Sequence, residues 1–113
     1  MATTIVIGPL PRLLGELVAR LVSTERVTLA DDAHTTDALV AAAVHAGATH
    51  VIAALASPDA ARRVSCALGT RLPGVALVTL ATDGRRAESW RDGACERALD
   101  DVSASALQTL LVE

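Results

Sequence analysis

The sequence predicts an α/β fold in which five parallel strands alternate with five helices, in a doubly wound sheet of order 2-1-3-4-5. Three observations predict it. Short apolar runs, typical of strands buried on both faces, alternate along the chain with segments of helical periodicity. The chain has 113 residues, which suits one domain, spanning 1–113, and leaves no room for a second. Hydrophobic residues make up 51%, mostly Ala, Val and Leu, and such small side chains let helices pack closely on a sheet.

The first half of the chain predicts two strand–helix units. In chain order they are a strand over 5–7, a helix over 10–22, a strand over 27–30 and a helix that runs through residue 46. Gly8-Pro9 ends the first strand. Thr35 or Thr36 can cap the second helix, because a threonine hydroxyl accepts a hydrogen bond from the first turn. Gly47 ends that helix.

The second half repeats the scheme. In chain order it predicts a strand over 50–55, a helix that starts at 57–58, a strand over 75–80, a short helix over 85–92, a strand over 95–99 and a last helix from 103. Ser57-Pro58 is a strong helix start, since a hydroxyl cap precedes a proline in the first turn. Gly69 is the predicted stop of that helix. Trp90 falls on the short helix.

Composition excludes several functions. All 10 basic residues are Arg, so the chain has no lysine for a P-loop or a Schiff base. Trp90 is the only aromatic residue and the net charge is −3, which argues against direct contact with nucleic acid. No apolar run is long enough for a membrane span, and we expect a cytoplasmic protein without a cofactor. Cys66 and Cys95 are predicted to be buried reduced thiols.

Polar groups near the predicted strand ends do not form an obvious catalytic or metal site. Asp31, Asp32 and His34 follow the second strand, where solvated loop residues are favoured over a bound cation. His45 is predicted on the second helix and His50 at the start of the third strand, without metal-ligand spacing. No metal ligand set and no nucleophile–base pair is predicted, so we do not expect an enzyme.

Two segments carry a resemblance to a known family. The segment 93–103 follows the pattern G-A-x-G-Y-L-L-K-D-x-S at five positions, namely Gly93, Ala94, Leu99, Asp101 and Ser103. The fourth strand places Thr79 where that family keeps Thr or Ser. The chain therefore resembles, over nearly its whole length, the receiver domains of bacterial response regulators in the NarL/FixJ branch. The resemblance implies a flavodoxin-like fold and a role in signal transduction.

The departures from the receiver pattern are concentrated in the phosphorylation site. Gly8 and Pro9 stand where the family holds magnesium with two acids, and Ala54 or Leu55 stands at the phosphoacceptor aspartate. Asp100 replaces the phosphoryl-sensing lysine, and Thr79 is retained. Aspartyl phosphorylation needs a carboxylate nucleophile and a divalent cation. These six positions therefore predict a degenerate pocket that is not phosphorylated.

The resemblance also implies an interface. In receivers the face made by helix 4, strand 5 and helix 5 is a common dimer or partner surface, and Arg85, Arg86, Trp90 and Arg91 fall in that region. A lone Trp among Arg residues is a candidate hot spot for a partner. Packing of Trp90 into the local core is an equal alternative.

Together these observations predict a phosphorylation-independent, receiver-like regulatory domain of a transcriptional regulator. It is expected to act by homodimerisation, by contact with an effector domain or protein partner, or by binding a small molecule in the vacated pocket. The chain ends at Glu113, where the last receiver helix would end, so a helix-turn-helix effector domain is expected beyond it. Two alternatives stay open: a stand-alone protein-interaction module of flavodoxin-like fold, and a small cofactor-binding enzyme.

Overall fold

The structure, a computed structural model, describes residues 4–8, 26–29, 35–54, 58–80 and 86–99. Within these ranges the chain forms six strands and two helices, in the order β1 (Thr4–Ile7), β2 (Arg26–Leu29), α1 (Thr36–Ala46), β3 (His50–Ala54), α2 (Pro58–Arg71), β4 (Ala76–Leu80), β5 (Ala87–Arg91) and β6 (Ala94–Leu99). The predicted helices over 10–22 and from 103 lie outside the described residues, as do Asp31, Asp32 and His34.

The described strands form one sheet of order β2-β1-β3-β4-β5-β6. Strands β1 to β4 run parallel, in the order predicted for the first four strands. Strand β5 runs antiparallel to β4, and β6 runs antiparallel to β5. The α/β class is therefore confirmed, whereas the prediction of an entirely parallel sheet is wrong, because an unpredicted antiparallel strand, β5, lies between β4 and the predicted fifth strand, β6.

A hairpin of β5 and β6 causes this difference. The predicted helix over 85–92 is wrong, because Ala87–Arg91 is a strand, and the predicted fifth strand is the second arm of the hairpin. Asp92 and Gly93 form the two-residue turn between the arms, with φ values of 52° and 83°. A two-residue turn with positive φ at both positions matches the twist of paired antiparallel strands, and Asp-Gly is one of its preferred sequences.

The caps of α1 lie where the sequence predicts them. The Thr35 side chain accepts a hydrogen bond from the amide of Ala38 at 3.1 Å. Gly47 ends the helix in the left-handed region, with φ 66°. A glycine adopts that conformation without the steric cost that a side chain would carry.

Helix α2 begins at Pro58, as predicted, but continues to Arg71, so the predicted stop at Gly69 is wrong. A close approach of the hairpin accounts for the glycine inside the helix. A Cβ at position 69 would lie 2.6 Å from Oδ1 of Asp92 and 3.4 Å from its Cα. Gly69 therefore provides space for the turn to rest against α2.

Both faces of the central strands are buried, as apolar runs predict. The two described helices pack on one face, where their side chains form a cluster with alternate residues of the sheet, such as Val6, Val51, Leu77 and Trp90. The intervening residues, such as Ile52, face the other way and are buried as well. The carboxyl ends of β1, β3 and β4 consequently meet at one edge of a well-packed sheet.

Thr49 fixes the opposite edge. Its hydroxyl accepts a hydrogen bond from the amide of Thr4 at 3.1 Å and lies 3.0 Å from the carbonyl oxygen of Thr4, to which it donates. Its amide also donates to that oxygen at 2.9 Å, and its carbonyl accepts from Ala76 at 3.1 Å. One residue therefore links the amino ends of β1, β3 and β4.

Candidate functional site

Three residues of the predicted pocket are described, and all three lie at the carboxyl edge of the parallel strands. Gly8 directly follows β1, and its amide donates to the carbonyl of Ile52 on β3 at 2.8 Å. Ala54 is the last residue of β3, and Thr79 is paired with its neighbour Ala53 across β3 and β4. Pro9, Leu55 and Asp100 lie outside the described residues.

Close packing surrounds Gly8. A Cβ built at this position would lie 3.1 Å from Cδ1 of Leu39, 3.5 Å from Cβ of Ala53 and 3.6 Å from the carbonyl oxygen of Ile52. Leu39 is itself buried on α1. The first of these distances is shorter than ordinary van der Waals contact, so a side chain at position 8 would require the Leu39 side chain to shift by a few tenths of an ångström. Apolar groups therefore surround Gly8 at the position where the metal site of a receiver would need a carboxylate.

Thr79 is the polar residue of this edge, and its side chain is 7% exposed. Its hydroxyl makes no hydrogen bond to the residues that the structure describes. Thr79 is paired with Ala53 of β3 on one side and with Glu88 of the antiparallel strand β5 on the other. A hydroxyl and a carboxylate thus face the same side of the sheet, because paired residues of neighbouring strands point in one direction.

Glu88 is the centre of a small polar cluster on the hairpin. Its Oε1 lies 3.6 Å from Nε of Arg86, and its Oε2 accepts a hydrogen bond from the Cys95 thiol at 3.5 Å. Burial, followed by the hydrogen bond to Glu88 and the negative charge of that carboxylate, raises the pKa of Cys95 above its ordinary value. Each of these effects disfavours the thiolate, so Cys95 is a weaker nucleophile than an unperturbed thiol.

The two cysteines are exposed and unpaired, so the prediction that they are buried is wrong, although they are free thiols as expected. Cys66 lies on the side of α2 that the hairpin turn approaches, and a Cβ at Gly93 would overlap its Sγ. Cys95 lies on β6, at the edge of the described sheet. The tertiary position of the hairpin sets the exposure of both, and no local periodicity reports it.

The residues of the predicted interface do not share a helical face. Trp90 lies on β5, is 5% exposed and belongs to the core cluster, so the alternative of core packing describes its position. Arg86 is exposed beside Glu88. Arg91 is half-buried, and its Nε lies 3.4 Å from Oε1 of Glu96. Arg85 lies outside the described residues.

The sequence did not point to the contact between the hairpin turn and α2. The amide of Gly93 donates a hydrogen bond to Oγ of Ser65 at 3.0 Å, and Ser65 is buried on the helix. Asp92 rests against Gly69 one turn further along. The Asp-Gly dipeptide is the local signal that could have predicted the turn, because it is a strong hairpin sequence between alternating residues.

Histidines and acids form no metal site in the described part of the chain, where no three His, Cys, Asp or Glu side chains come together. His45 lies on α1 and His50 begins β3, as predicted. Nδ1 of His50 is 3.0 Å from the Thr49 hydroxyl. The direction of this hydrogen bond depends on the tautomer of the ring.

No helix within the described ranges is both long and apolar enough to cross a membrane. Comparison of the chain with family models, with curated proteins and with solved structures finds no match.

Proposed function

We propose that the chain is a receiver-like regulatory domain of a transcriptional regulator that works without phosphorylation. It keeps the flavodoxin-like arrangement in its first four strands and has a hairpin in place of the fourth helix and the parallel fifth strand. The order β2-β1-β3-β4 of parallel strands supports the likeness to receivers. In sheets of this kind, functional residues gather at the carboxyl ends of the strands.

The packing of Gly8 is the observation that carries the proposal. Magnesium is held by oxygen ligands, mainly carboxylates, and an acyl phosphate requires a carboxylate nucleophile. At the described part of this edge stand Gly8, Ala54 and Thr79, and none of them supplies a carboxylate. A Cβ at position 8 would lie 3.1 Å from Cδ1 of Leu39, so the Leu39 side chain would have to shift to admit one. We therefore assign the domain a binding role, through a second copy, an effector domain, a protein partner or a small molecule, and no catalytic activity.

Treatment with a small-molecule phosphoryl donor tests this proposal. The intact chain is incubated with acetyl phosphate and magnesium and its mass is measured, alongside a phosphorylatable receiver as a positive control. We expect no mass gain of one phosphoryl group. We expect the same for Ala54→Asp, since one restored carboxylate supplies a nucleophile without a metal site. A magnesium-dependent gain on the unmodified chain would contradict the proposal.

A further inference from the structure

Strand β6 forms one end of the described sheet, and its only described neighbour is β5. The side chains of residues 94–98 are all exposed. An edge strand of this kind presents backbone N–H and C=O groups that can pair with another strand. The question is which groups point outward and what kind of strand would fit them.

The hairpin geometry identifies the outward groups. In a hairpin with a two-residue turn, the residues that flank the turn form a hydrogen-bonded pair, here Arg91 and Ala94. Hydrogen-bonded and non-hydrogen-bonded pairs alternate along antiparallel strands, so the next pair, Trp90 with Cys95, is of the second type. The N–H and C=O of Cys95 therefore point away from β5, towards the outer edge of the described sheet.

A bulge gives Ala98 the same orientation. The register shifts between Ser89 and Trp90, so that β6 contains one extra residue, and Glu88 is paired with Ala98. Because the bulge absorbs the extra residue, Cys95 and Ala98 have the spacing of residues two apart on a regular strand, about 7 Å. The outward N–H and C=O groups of Cys95 and Ala98 therefore have the spacing at which an antiparallel partner strand forms hydrogen bonds.

The charges of β6 complement those of the same strand turned around. If β6 pairs antiparallel with a second β6, Cys95 lies opposite Ala98 of the second copy and the two-fold axis passes between Glu96 and Arg97. Glu96 of each copy, which is also ion-paired with Arg91 of its own chain, then faces Arg97 of the other. Opposite charges placed across antiparallel strands stabilise the pairing, and like charges destabilise it. The two-fold symmetry makes each such contact occur twice.

We propose that β6 is the interface between two copies of this chain. The two β6 strands pair antiparallel to each other, so that the sheets of the two copies join into one continuous sheet. The inference rests on the proposed function to the extent that a second copy is one of the partners assigned to the domain. It places the contact on the hairpin edge and not on the helical face that the receiver resemblance implies.

Charge reversal tests the interface. Sedimentation equilibrium of the whole chain over a range of concentrations should show a dimer. Glu96→Arg and Arg97→Glu should each weaken dimerisation at least about tenfold, because each variant places like charges opposite each other twice. The double variant Glu96→Arg/Arg97→Glu restores opposite charges and should recover most of the affinity. Arg62→Glu makes the same charge change at an exposed position of α2 and should leave dimerisation unchanged.

A backbone variant provides a second test. Ala98→Pro removes an outward N–H without removing a hydrogen bond to β5, and we expect it to abolish the dimer. Fluorescence of Trp90, which is buried in the core, reports in each variant whether the fold is retained. A chain that is monomeric at all concentrations, or a dimer insensitive to the single charge reversals in folded protein, overturns the proposed interface. Neither result bears on whether the chain is phosphorylated, which the mass measurement with acetyl phosphate tests separately.

Discussion

Substituting Gly93 tests the docking of the hairpin on α2. Gly93 has φ 83°, and a Cβ there would overlap Sγ of Cys66, so an alanine meets a backbone penalty and a steric penalty. Gly74 is a matched control. Its φ is 82°, and nothing lies within 4 Å of a Cβ built on it. Gly74→Ala therefore carries the backbone penalty alone.

The magnitudes follow from these two contributions. A left-handed backbone costs a residue with a side chain about 1–2 kcal/mol, which is the loss of unfolding free energy expected for Gly74→Ala. Insertion of a methyl group into a packed contact usually costs about 1–3 kcal/mol, so Gly93→Ala should cost about 2–5 kcal/mol in all. Cys66→Ala removes Sγ and leaves Cβ at 3.8 Å from the new methyl group. In that background the cost of Gly93→Ala should fall to about 1–2 kcal/mol.

Urea unfolding measures these differences. Trp90 is the only tryptophan and is buried, so its emission reports the transition, and circular dichroism provides a second probe. The four proteins of the cycle, namely the parent, each single variant and the double variant, give the coupling between the two positions. The docking of the turn on α2 would be refuted by a cost of Gly93→Ala that equals the cost of Gly74→Ala, or that does not change when the thiol is removed.

Three further changes have defined outcomes. Glu88→Gln should lower the pKa of Cys95 and raise its alkylation rate at a fixed mildly alkaline pH, because the carboxylate favours the neutral thiol. The rate of iodoacetamide labelling is measured in a background without the other cysteine. An unchanged pH profile of this rate would contradict the contact between Glu88 and Cys95. Thr35→Ala should cost about 1 kcal/mol of unfolding free energy through loss of the α1 cap, and equal costs for Thr35→Ala and Thr36→Ala in urea titrations would argue against it. Thr49→Val should cost about 1–2 kcal/mol of unfolding free energy, and Thr49→Ser clearly less, because serine keeps the hydroxyl that binds β1. Identical urea midpoints for the two variants would show that this hydrogen bond contributes nothing to stability.

The parts of the fold that the sequence predicts well are those with local causes. A parallel strand that is buried on both faces has a continuous apolar run, and Val51-Ile52 is such a run. Thr35 and Gly47 cap α1 through interactions within a few residues of each other. Such signals do not depend on what the rest of the chain does.

The hairpin was missed because its segment satisfies two periodicities. In a window as short as 85–92, the apolar residues Ala87 and Trp90 are three apart, which fits a helix, while Ala87, Ser89 and Arg91 alternate with residues that face the other side of a strand. Only the antiparallel pairing of β5 with β4, which no pattern within 85–92 reports, decides the matter.

The site was predicted in its positions and not in its packing. The sequence indicated that Gly8, Ala54 and Thr79 stand at strand ends, and the structure places them there. The approach of the Leu39 side chain to Gly8 depends on how α1 crosses β1, and no local sequence pattern encodes that crossing. For the same reason the sequence could not indicate that the hairpin would place Glu96 and Arg97 on an exposed strand at the end of the described sheet.

The contact between Gly8 and Leu39 has a consequence for how this chain can evolve. An acidic residue at position 8 would arrive before any metal site exists to use it, and it would push against a buried leucine and lose solvation at once. A smaller residue at position 39 would relieve this contact, but it would leave a cavity that destabilises the domain. A charged residue at position 8 therefore carries a cost in stability from the start, so descendants of this chain are expected to vary more readily at their surfaces than at this position.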